Sequence, residues 1–196
     1  MELNSDYWDD LYRTNTTRWD LGGPSTPLKE YIDQLKDKSI PILIPGCGNA
    51  HEAKYLLQQS FTDVTVIDIS PLLTEKLRSE LSEYENKQLK IITGNFFDLK
   101  GSFRLVLEQT FFCALNPALR SAYVSKMYEL LQPGGKLAGV LFDREFEDGP
   151  PFGGNKEEYE KLFSQQLHLL TLEACTNSIP PRAGTELFIT AKKEAS

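Results

Sequence analysis

The chain has few of the residues that form metal sites or disulfide frameworks. Its 196 residues include three cysteines, Cys47, Cys113 and Cys175, and two histidines, His51 and His168. The cysteines are too few and too scattered for a disulfide framework or a zinc site. The histidines lie too far apart in sequence to act as a ligand pair. We therefore expect free thiols and no structural metal.

The chain also lacks a long apolar run and an excess of positive charge. No run approaches the roughly 18 apolar residues of a membrane-spanning helix, and residues 1–6 are polar and acidic, unlike a secretory signal. The formal charge is −7, from 21 basic and 28 acidic residues, which excludes the electrostatic surface of a nucleic-acid-binding protein. We expect a cytoplasmic protein with no membrane or nucleic-acid partner, present as a monomer or weak homodimer.

Strand-like and helix-like segments alternate along the chain. Hydrophobic residues make up 40% and aromatic residues 11%, enough for the core of one domain over residues 1–196. Strands are predicted at 41–45, 64–68, 90–93, 104–108 and 136–142, helices at about 50–59, 71–85 and 117–131, and two consecutive strands at 167–176 and 185–193. This order is typical of an α/β fold with a mostly parallel sheet, helices on both faces, an antiparallel pair at one edge and a helical N-terminal cover.

A glycine-containing turn follows the first predicted strand. In Gly46-Cys47-Gly48 the closely spaced glycines let the backbone approach a ligand, and the helix that follows offers its N-terminal amides to a polar group. Asp68 ends the second strand, where a carboxylate can accept hydrogen bonds from both hydroxyls of a ribose. Ligands of open α/β sheets bind at this edge. The pattern predicts a nucleoside-type cofactor; the alternative is a tight structural turn beside a solvated carboxylate.

The remainder of the turn narrows the type of cofactor. A dinucleotide site needs a third glycine where this chain has His51, and no Gly-Lys-Ser/Thr follows for a phosphate-binding loop. S-adenosylmethionine (SAM) carries a ribose and a carboxylate but no phosphate, so it fits better. Asn95 and Phe96 follow the third strand, where they can read and cover an adenine. Glu108 and Gln109 end the fourth strand, over the mouth of the pocket.

Longer motifs carry a resemblance to a known family. Gly46-Cys47-Gly48 after a proline, Asp68, and the runs Thr110–Pro117, Met127–Gly135 and Asp148–Phe152 resemble the SAM-dependent thiopurine methyltransferase family, most closely its plant halide/thiol methyltransferases. The likeness extends from about Tyr7 to Lys193. It implies a class I SAM-methyltransferase fold: a Rossmann-like, mostly parallel seven-stranded sheet with helices on both faces, an antiparallel last strand pair and a helical N-terminal lid, residues 1–25.

The resemblance also implies which residues contact the cofactor. The matching positions are Trp8, Tyr12, Trp19, Gly46, Asp68, Asn95, Phe96 and Gln109. We add their neighbours Cys47, Gly48 and Glu108. Tyr12 and Gln109 stand where relatives often have Trp and Tyr. Asn95 replaces the commoner Asp but keeps an acceptor oxygen for the adenine amino group.

The N-terminal aromatics are spaced to form one face. Trp8 and Tyr12 are four residues apart and share a face if the segment is helical, and Trp19 follows. Aromatic faces attract a sulfonium cation by about 0.5–2 kcal/mol each. A lid of this kind would hold SAM and exclude water, and simple packing of the segment onto the domain is a compatible alternative.

The chemistry follows from the cofactor. Methyl transfer from SAM is an in-line displacement that leaves S-adenosylhomocysteine (SAH), and a soft anion needs no proton removed during attack. Orientation and desolvation can then carry the reaction without a general base. Arg144 and Arg182 are candidate anion-binding residues, with surface ion pairs as the alternative, and Phe152 is a candidate for the wall. We expect a small soft acceptor, namely a thiol, hydrosulfide, thiocyanate or halide; the alternatives are a thiopurine or aryl thiol and a non-catalytic SAM-binding domain.

Overall fold

The computed structural model describes residues 3–195. Within this range the chain forms six α-helices and one seven-stranded sheet. The helices are α1 Ser5–Arg13, α2 Thr26–Asp33, α3 His51–Gln58, α4 Pro71–Glu80, α5 Arg120–Leu130 and α6 Lys156–Phe163. The strands are β1 Ile42–Pro45, β2 Val64–Asp68, β3 Leu89–Thr93, β4 Phe103–Gln109, β5 Leu131–Phe142, β6 His168–Ala174 and β7 Glu186–Lys192. None of the helices between residues 3 and 195 is both long and apolar enough to cross a bilayer.

The strand order places a crevice between β1 and β4. The order is β3-β2-β1-β4-β5-β7-β6, with β1 to β5 parallel and β7 antiparallel to both β5 and β6. The predicted fold class is confirmed, and β7 inserts between β5 and the edge strand β6. From β1 the strands are added on one side of the sheet as far as β3, and from β4 they are added on the other side. The carboxyl ends of β1 and β4 therefore flank the place where α/β sheets bind ligands.

Two hydrophobic clusters cover the two faces of the sheet. Successive side chains of a strand point to opposite faces, so Leu43 joins one cluster and its neighbour Ile44 joins the other. On the first face β-strand residues pack against the buried residues of α5 and α6. On the second face they pack against α2, α3 and α4. Burial on both faces explains why β1 and β2 are buried at every position.

Two short helices, α2 and α6, lie outside the predicted set. Each has eight residues, too few for a clear apolar periodicity. Both nevertheless begin with an ordinary start signal: Pro27 occupies the first turn of α2, and the Asn155 side chain accepts a hydrogen bond from the Glu158 amide at the start of α6.

Three predicted boundaries differ from the structure by three residues or more. α4 ends at Glu80 and not at 85, because residues 81–84 form a turn in which the Tyr84 amide donates to the Leu81 carbonyl at 2.9 Å. α5 begins at Arg120, after a short 3₁₀ turn at Pro117–Leu119. β5 begins at Leu131 and continues through the Pro-Gly-Gly segment, where the Gly134 amide donates to the Lys193 carbonyl at 2.7 Å. Pairing with the chain end therefore extends this strand beyond its apolar run.

Phe163 tests the first cluster. Its ring is fully buried and lies 5.8 Å from the Phe112 ring and 6.3 Å from the Tyr123 ring, between centroids. Phe163→Ala should lower the free energy of unfolding by about 3–5 kcal/mol, since it leaves a cavity among rings that cannot collapse. Leu170, on β6, is 47% exposed, so Leu170→Ala should change it by less than about 0.5 kcal/mol. Urea unfolding measures both, and equal losses would contradict the assigned core.

Candidate functional site

A deep cleft opens at the carboxyl edge of the sheet, beyond the ends of β1, β2 and β4. Its volume is about 1110 Å³, slightly above the roughly 300–1,000 Å³ usual for small-molecule sites. The predicted site residues that line it are Trp8, Tyr12, Trp19, Gly46, Cys47, Gly48, Asp68, Asn95, Phe96, Gln109, Arg144 and Arg182. The fold thus gathers side chains from both ends of the sequence into one cavity.

The turn after β1 brings bare backbone to the cleft. Gly46 and Gly48 have φ angles of +54° and +53°, which other residues rarely adopt. A Cβ added to Gly46 would lie 2.2 Å from the Phe111 ring, so this ring and the turn are in direct contact. α3 begins immediately after the turn, at His51. Its first amides therefore lie beside the same cavity.

Asp68 lies at the end of β2 with its carboxylate held by backbone amides. Oδ2 accepts from the Gly48 amide at 3.2 Å and Oδ1 accepts from the Ser70 amide at 3.0 Å. The residue is only 8% exposed, yet it lines the cleft. Burial raises the pKa of Asp68 above its ordinary value, while the hydrogen bonds from Ser70 and Gly48 oppose that shift. The result is a fixed acceptor group at the base of the cavity.

The segment after β3 forms the next part of the wall. The Asn95 side-chain oxygen accepts a hydrogen bond from the Phe97 amide at 3.0 Å and so begins a short 3₁₀ turn. Phe96 is buried and meets the rings of Phe97 and Phe111 edge to face. The Asn95 oxygen that was expected to read adenine is therefore already bound to the backbone, with one lone pair left.

Three N-terminal aromatics cover the turn. Trp19 meets the Trp8 and Tyr12 rings edge to face, at centroid distances of 5.6 and 5.9 Å. A Cβ added to Gly48 would lie 3.5 Å from the Tyr12 hydroxyl and 3.9 Å from Trp19 Nε1. Burial, with Asp68 nearby, raises the pKa of Tyr12 far above its usual value, so the phenol stays neutral. The polar tips of two rings thus face the glycine turn.

Two aspartates that the sequence analysis did not single out anchor this segment. Asp9, buried in α1, accepts hydrogen bonds from the Ser70 hydroxyl and, at 3.3 Å, from the Leu72 amide at the start of α4. A carboxylate is stabilised at a helix N-terminus, where free amides converge. Both anchoring aspartates directly follow a tryptophan, Asp9 after Trp8 and Asp20 after Trp19, which is the only signal the sequence offers for them.

Asp20 makes the second anchor, at the start of α3. It accepts hydrogen bonds from the Asn49 side chain and, at 2.8 Å, from the Gly22 amide, and its Oδ1 lies 2.6 Å from His51 Nε2. Although burial alone would raise it, these hydrogen bonds hold the pKa of Asp20 below its ordinary value. His51 is half-buried and bound to the N-terminal segment through this contact.

The far end of the cleft carries the two predicted arginines in different states. Arg144 is exposed, with its guanidinium 4.6 Å from the centre of the Phe146 ring. Arg182 is half-buried: Nη1 lies 3.4 Å from Glu186 Oε1, and Nη2 donates to the Trp19 carbonyl at 3.1 Å. Arg182 therefore joins the segment before β7 to the N-terminal segment. Of the two guanidinium groups, that of Arg144 is the more available to bind an anion.

Two predicted site residues do not line the cleft. Glu108 was expected over the pocket mouth, but it is 1% exposed and its carboxylate accepts hydrogen bonds from the amides of Phe111 and Phe112 and from the Tyr123 hydroxyl. Phe152 was expected in the wall, but its amide donates to the Cys113 carbonyl and Pro150 and Pro151 line the cavity in its place. Backbone amides draw the Glu108 carboxylate behind the wall. The Phe152 ring packs against Gly149, where a Cβ would lie 2.3 Å from it.

Two of the three cysteines, Cys47 and Cys113, are buried, and Cys175 is partly exposed. Burial raises the pKa of Cys113 to about 12 and that of Cys47 well above its usual value, so both thiols stay protonated. Across residues 3–195, no cluster of three or more His, Cys, Asp or Glu side chains is arranged to hold a metal ion.

Comparison with known proteins identifies the family. Residues 3–194 match the family model described as thiopurine S-methyltransferase (TPMT). The chain is 28% identical to "Probable thiol methyltransferase 2" of Arabidopsis thaliana, covering 100% of this chain and 88% of that protein. It is 29% identical to "Thiocyanate methyltransferase 1" of Brassica oleracea, covering 91% and 81%.

Solved structures show the same fold. The 1,6-didemethyltoxoflavin-N1-methyltransferase of Burkholderia thailandensis, solved with bound SAH, superposes with a TM-score of 0.77 at 18% identity, covering 97% of this chain and 87% of that one. The cleft geometry, the nearly complete family match and this fold lead to one conclusion: the chain belongs to the thiopurine S-methyltransferase family of SAM-dependent methyltransferases.

Proposed function

We propose that this enzyme transfers the methyl group of SAM to a small soft nucleophile: a thiol, hydrosulfide, thiocyanate or halide. The observation that carries the proposal is the single continuous cavity, which has Asp68 and the glycine turn at one end and Arg144 at the other. The thiol and thiocyanate methyltransferases among its relatives support this acceptor class. As a family member the chain is an enzyme, so the non-catalytic alternative is set aside.

The residues present fit the cofactor. The fixed carboxylate of Asp68 can accept from ribose hydroxyls, and the backbone at Gly46 and Gly48 leaves room for the amino-acid part. Trp8, Tyr12 and Trp19 would cover the sulfonium end. When bound, SAM supplies an electrophilic methyl group and a neutral thioether leaving group. The chain's own task is to hold both reactants in line and to exclude water.

Asp68→Ala tests the cofactor assignment. Loss of the charged acceptor should weaken binding of SAM and SAH by about 1–3 kcal/mol, because the ribose hydroxyls lose their partner. Calorimetry measures the effect. Asp63→Ala is the matched control, since Asp63 is exposed and precedes the opposite end of the same strand. Equal affinities for both variants would refute the role of Asp68.

We also propose that residues 1–25 act as a lid within one domain, residues 1–196. Three contacts support a closed position: Asp9 on the start of α4, Asp20 on the start of α3, and Arg182 on the Trp19 carbonyl. These contacts join the segment to three separate parts of the cleft. Closure would strengthen contacts with the cofactor and remove water from an anionic acceptor.

Trp19→Ala tests the lid. Trp19 contacts two other rings and faces the glycine turn, so its removal should cost about 1–3 kcal/mol in transition-state stabilisation, measured as kcat/KM. Both tryptophans of the chain, Trp8 and Trp19, lie in this segment, so tryptophan fluorescence reports on the lid alone and should change when SAH binds. Tyr128→Ala is the control, because Tyr128 is 40% exposed on α5. If the kcat/KM of Trp19→Ala equals that of the parent enzyme, the N-terminal segment only packs on the domain and does not act as a lid.

The proposed reaction needs no proton acceptor. A thiolate or halide attacks the methyl carbon with its own electron pair as the carbon–sulfur bond of the cofactor breaks, so the reaction yields a methylated acceptor and SAH. Arg144 would attract the anion, and the apolar wall would strip its water. The rate with a thiol should then depend on how much of it is ionised.

The pH dependence of acceptor use tests this mechanism. For an alkyl thiol of pKa about 8.5, the ratio of its rate to the iodide rate should rise about tenfold per pH unit from pH 5.5 to 7.5. The ratio should level off near the thiol pKa. Dividing by the iodide rate cancels any effect of enzyme ionisation that is common to both rates. A ratio that stays constant with pH would mean that the enzyme itself removes the thiol proton.

A thiopurine or aryl thiol is the second candidate acceptor. It is favoured by the cavity volume and by the ring and proline side chains of Phe146, Pro150 and Pro151 at the far end. Incubation with SAM and a panel of iodide, thiocyanate, sulfide, alkyl thiols, aryl thiols and thiopurines, with identification of the methylated products, decides between the two. Methylation of the small anions or alkyl thiols supports the first proposal; methylation of aryl thiols or thiopurines alone supports the second.

We further propose a cytoplasmic monomer or weak homodimer. The three cysteines are free thiols, which suits a reducing compartment. The exposed large apolar side chains, Leu72, Leu119, Tyr128 and Leu170, come from four different parts of the fold, which favours a surface without an extensive apolar interface.

A further inference from the structure

We infer that Glu108 is a positioning residue: its buried carboxylate, acting as a hydrogen-bond acceptor, fixes the loop 109–116 against the glycine turn. The loop so shapes both the half of the cleft that would hold the cofactor and the half that would hold the methyl acceptor. Only the statement about the methyl-acceptor half rests on the proposed function. The loop supplies much of the wall at the boundary between the two halves, through Gln109, Thr110, Phe111, Cys113, Ala114, Leu115 and Asn116.

The carboxylate has three donors and a space made for it. Oε1 accepts from the Phe111 amide at 2.8 Å and the Phe112 amide at 2.9 Å, and Oε2 accepts from the Tyr123 hydroxyl at 2.5 Å. Gly139 pairs with Glu108 on the neighbouring strand β5, and a Cβ there would lie 2.4 Å from the Glu108 Cβ. The absence of a side chain at Gly139 gives Glu108 its place below the loop.

The loop needs this support because it contains a strained residue. Thr110 has a φ of +55°, a left-handed conformation that is rare for a β-branched side chain. Such strain persists only where surrounding contacts over-determine the backbone. Glu108 lies two residues before Thr110, and Glu108 Oε1 accepts from the amides of the two residues after Thr110. One side chain therefore holds the backbone on both sides of the strained residue.

Phe111 carries this support to the cofactor turn. The Phe111 amide donates to Glu108, and the Phe111 ring lies only 2.2 Å from the position that a Cβ of Gly46 would take. The same ring meets Phe96 at a centroid distance of 5.2 Å. A shift of the loop would therefore move the contact with the turn and with the segment after β3 together.

Glu108 does not act through its proton. Burial raises the pKa of Glu108 to about 7, although the hydrogen bonds from Tyr123, Phe112 and Phe111 oppose the shift. The titratable groups facing it are the Tyr123 phenol from α5 and the Cys113 thiol, both kept neutral by burial. Oε1 can accept from both amides whether Glu108 is ionised or neutral. Glutamine offers the same acceptor oxygen.

Three variants test the inference: Glu108→Gln, Glu108→Leu and the stability control Leu172→Ala, a buried residue on the edge strand β6. Glu108→Gln should keep the SAH dissociation constant and kcat/KM within about threefold of the parent. Glu108→Leu keeps the size but loses the acceptor, so it should raise the SAH dissociation constant about tenfold and lower kcat/KM by about 10–100-fold. Leu172→Ala should lose stability but keep both kinetic values.

Each outcome decides. Parental SAH binding and kinetics in Glu108→Leu would overturn the positioning role, and a Glu108→Gln defect as large as that of Glu108→Leu would overturn the acceptor argument. If Glu108→Leu does not fold, Tyr123→Phe replaces it: this variant removes one donor but leaves both amide bonds, so parental SAH binding supports the inference and a tenfold loss refutes it. SAH binding needs no methyl acceptor, so a wild-type enzyme that binds SAH but methylates none of the panel would refute the proposed acceptors and leave this test intact.

Discussion

The site depends on the hydrogen bonds of Asp68. Its carboxylate accepts from the amides of Gly48 and Ser70, and its backbone carbonyl accepts from the Gly94 amide at 2.9 Å. One residue therefore joins the chain segments that follow β1, β2 and β3. A buried carboxylate is costly unless donors surround it, so the turn, the start of α4 and the wall after β3 are held in one relative arrangement.

The N-terminal segment uses the same physical device. Asp9 accepts from the Leu72 amide at the start of α4. Asp20 is bound by the side chains of Asn49 and His51 at the start of α3. The three aromatic rings between and beside these anchors meet edge to face. Anchoring through polar contacts at its two sides, with rings in the middle, suits the lid role that we propose for this segment.

The sequence predicts the outline of the fold well and the second layer of the site poorly. Gly46, Gly48 and Asp68 are recognisable because they stand at the ends of short apolar runs, and such runs identify the central strands. Glu108 lies beneath the surface because the amides of Phe111 and Phe112 bind its carboxylate, and Phe152 lies outside the cleft wall with its amide bound to the Cys113 carbonyl, far away in sequence. Asp9, Asp20 and the link from Arg182 to Trp19 join residues far apart in sequence, which no local pattern reveals. Short helices such as α2 show too little periodicity to be predicted.

We propose that Asp68, the glycine turn and the N-terminal segment form one closed chamber for the cofactor. A crystal structure of the enzyme with SAH tests this most directly. We expect both ribose hydroxyls to lie within hydrogen-bond distance of the Asp68 carboxylate. Trp19 and Tyr12 should contact the homocysteine part while Asp9 and Asp20 keep their anchors. SAH bound away from Asp68, or bound in place with residues 3–20 lifted off the cleft, would contradict it.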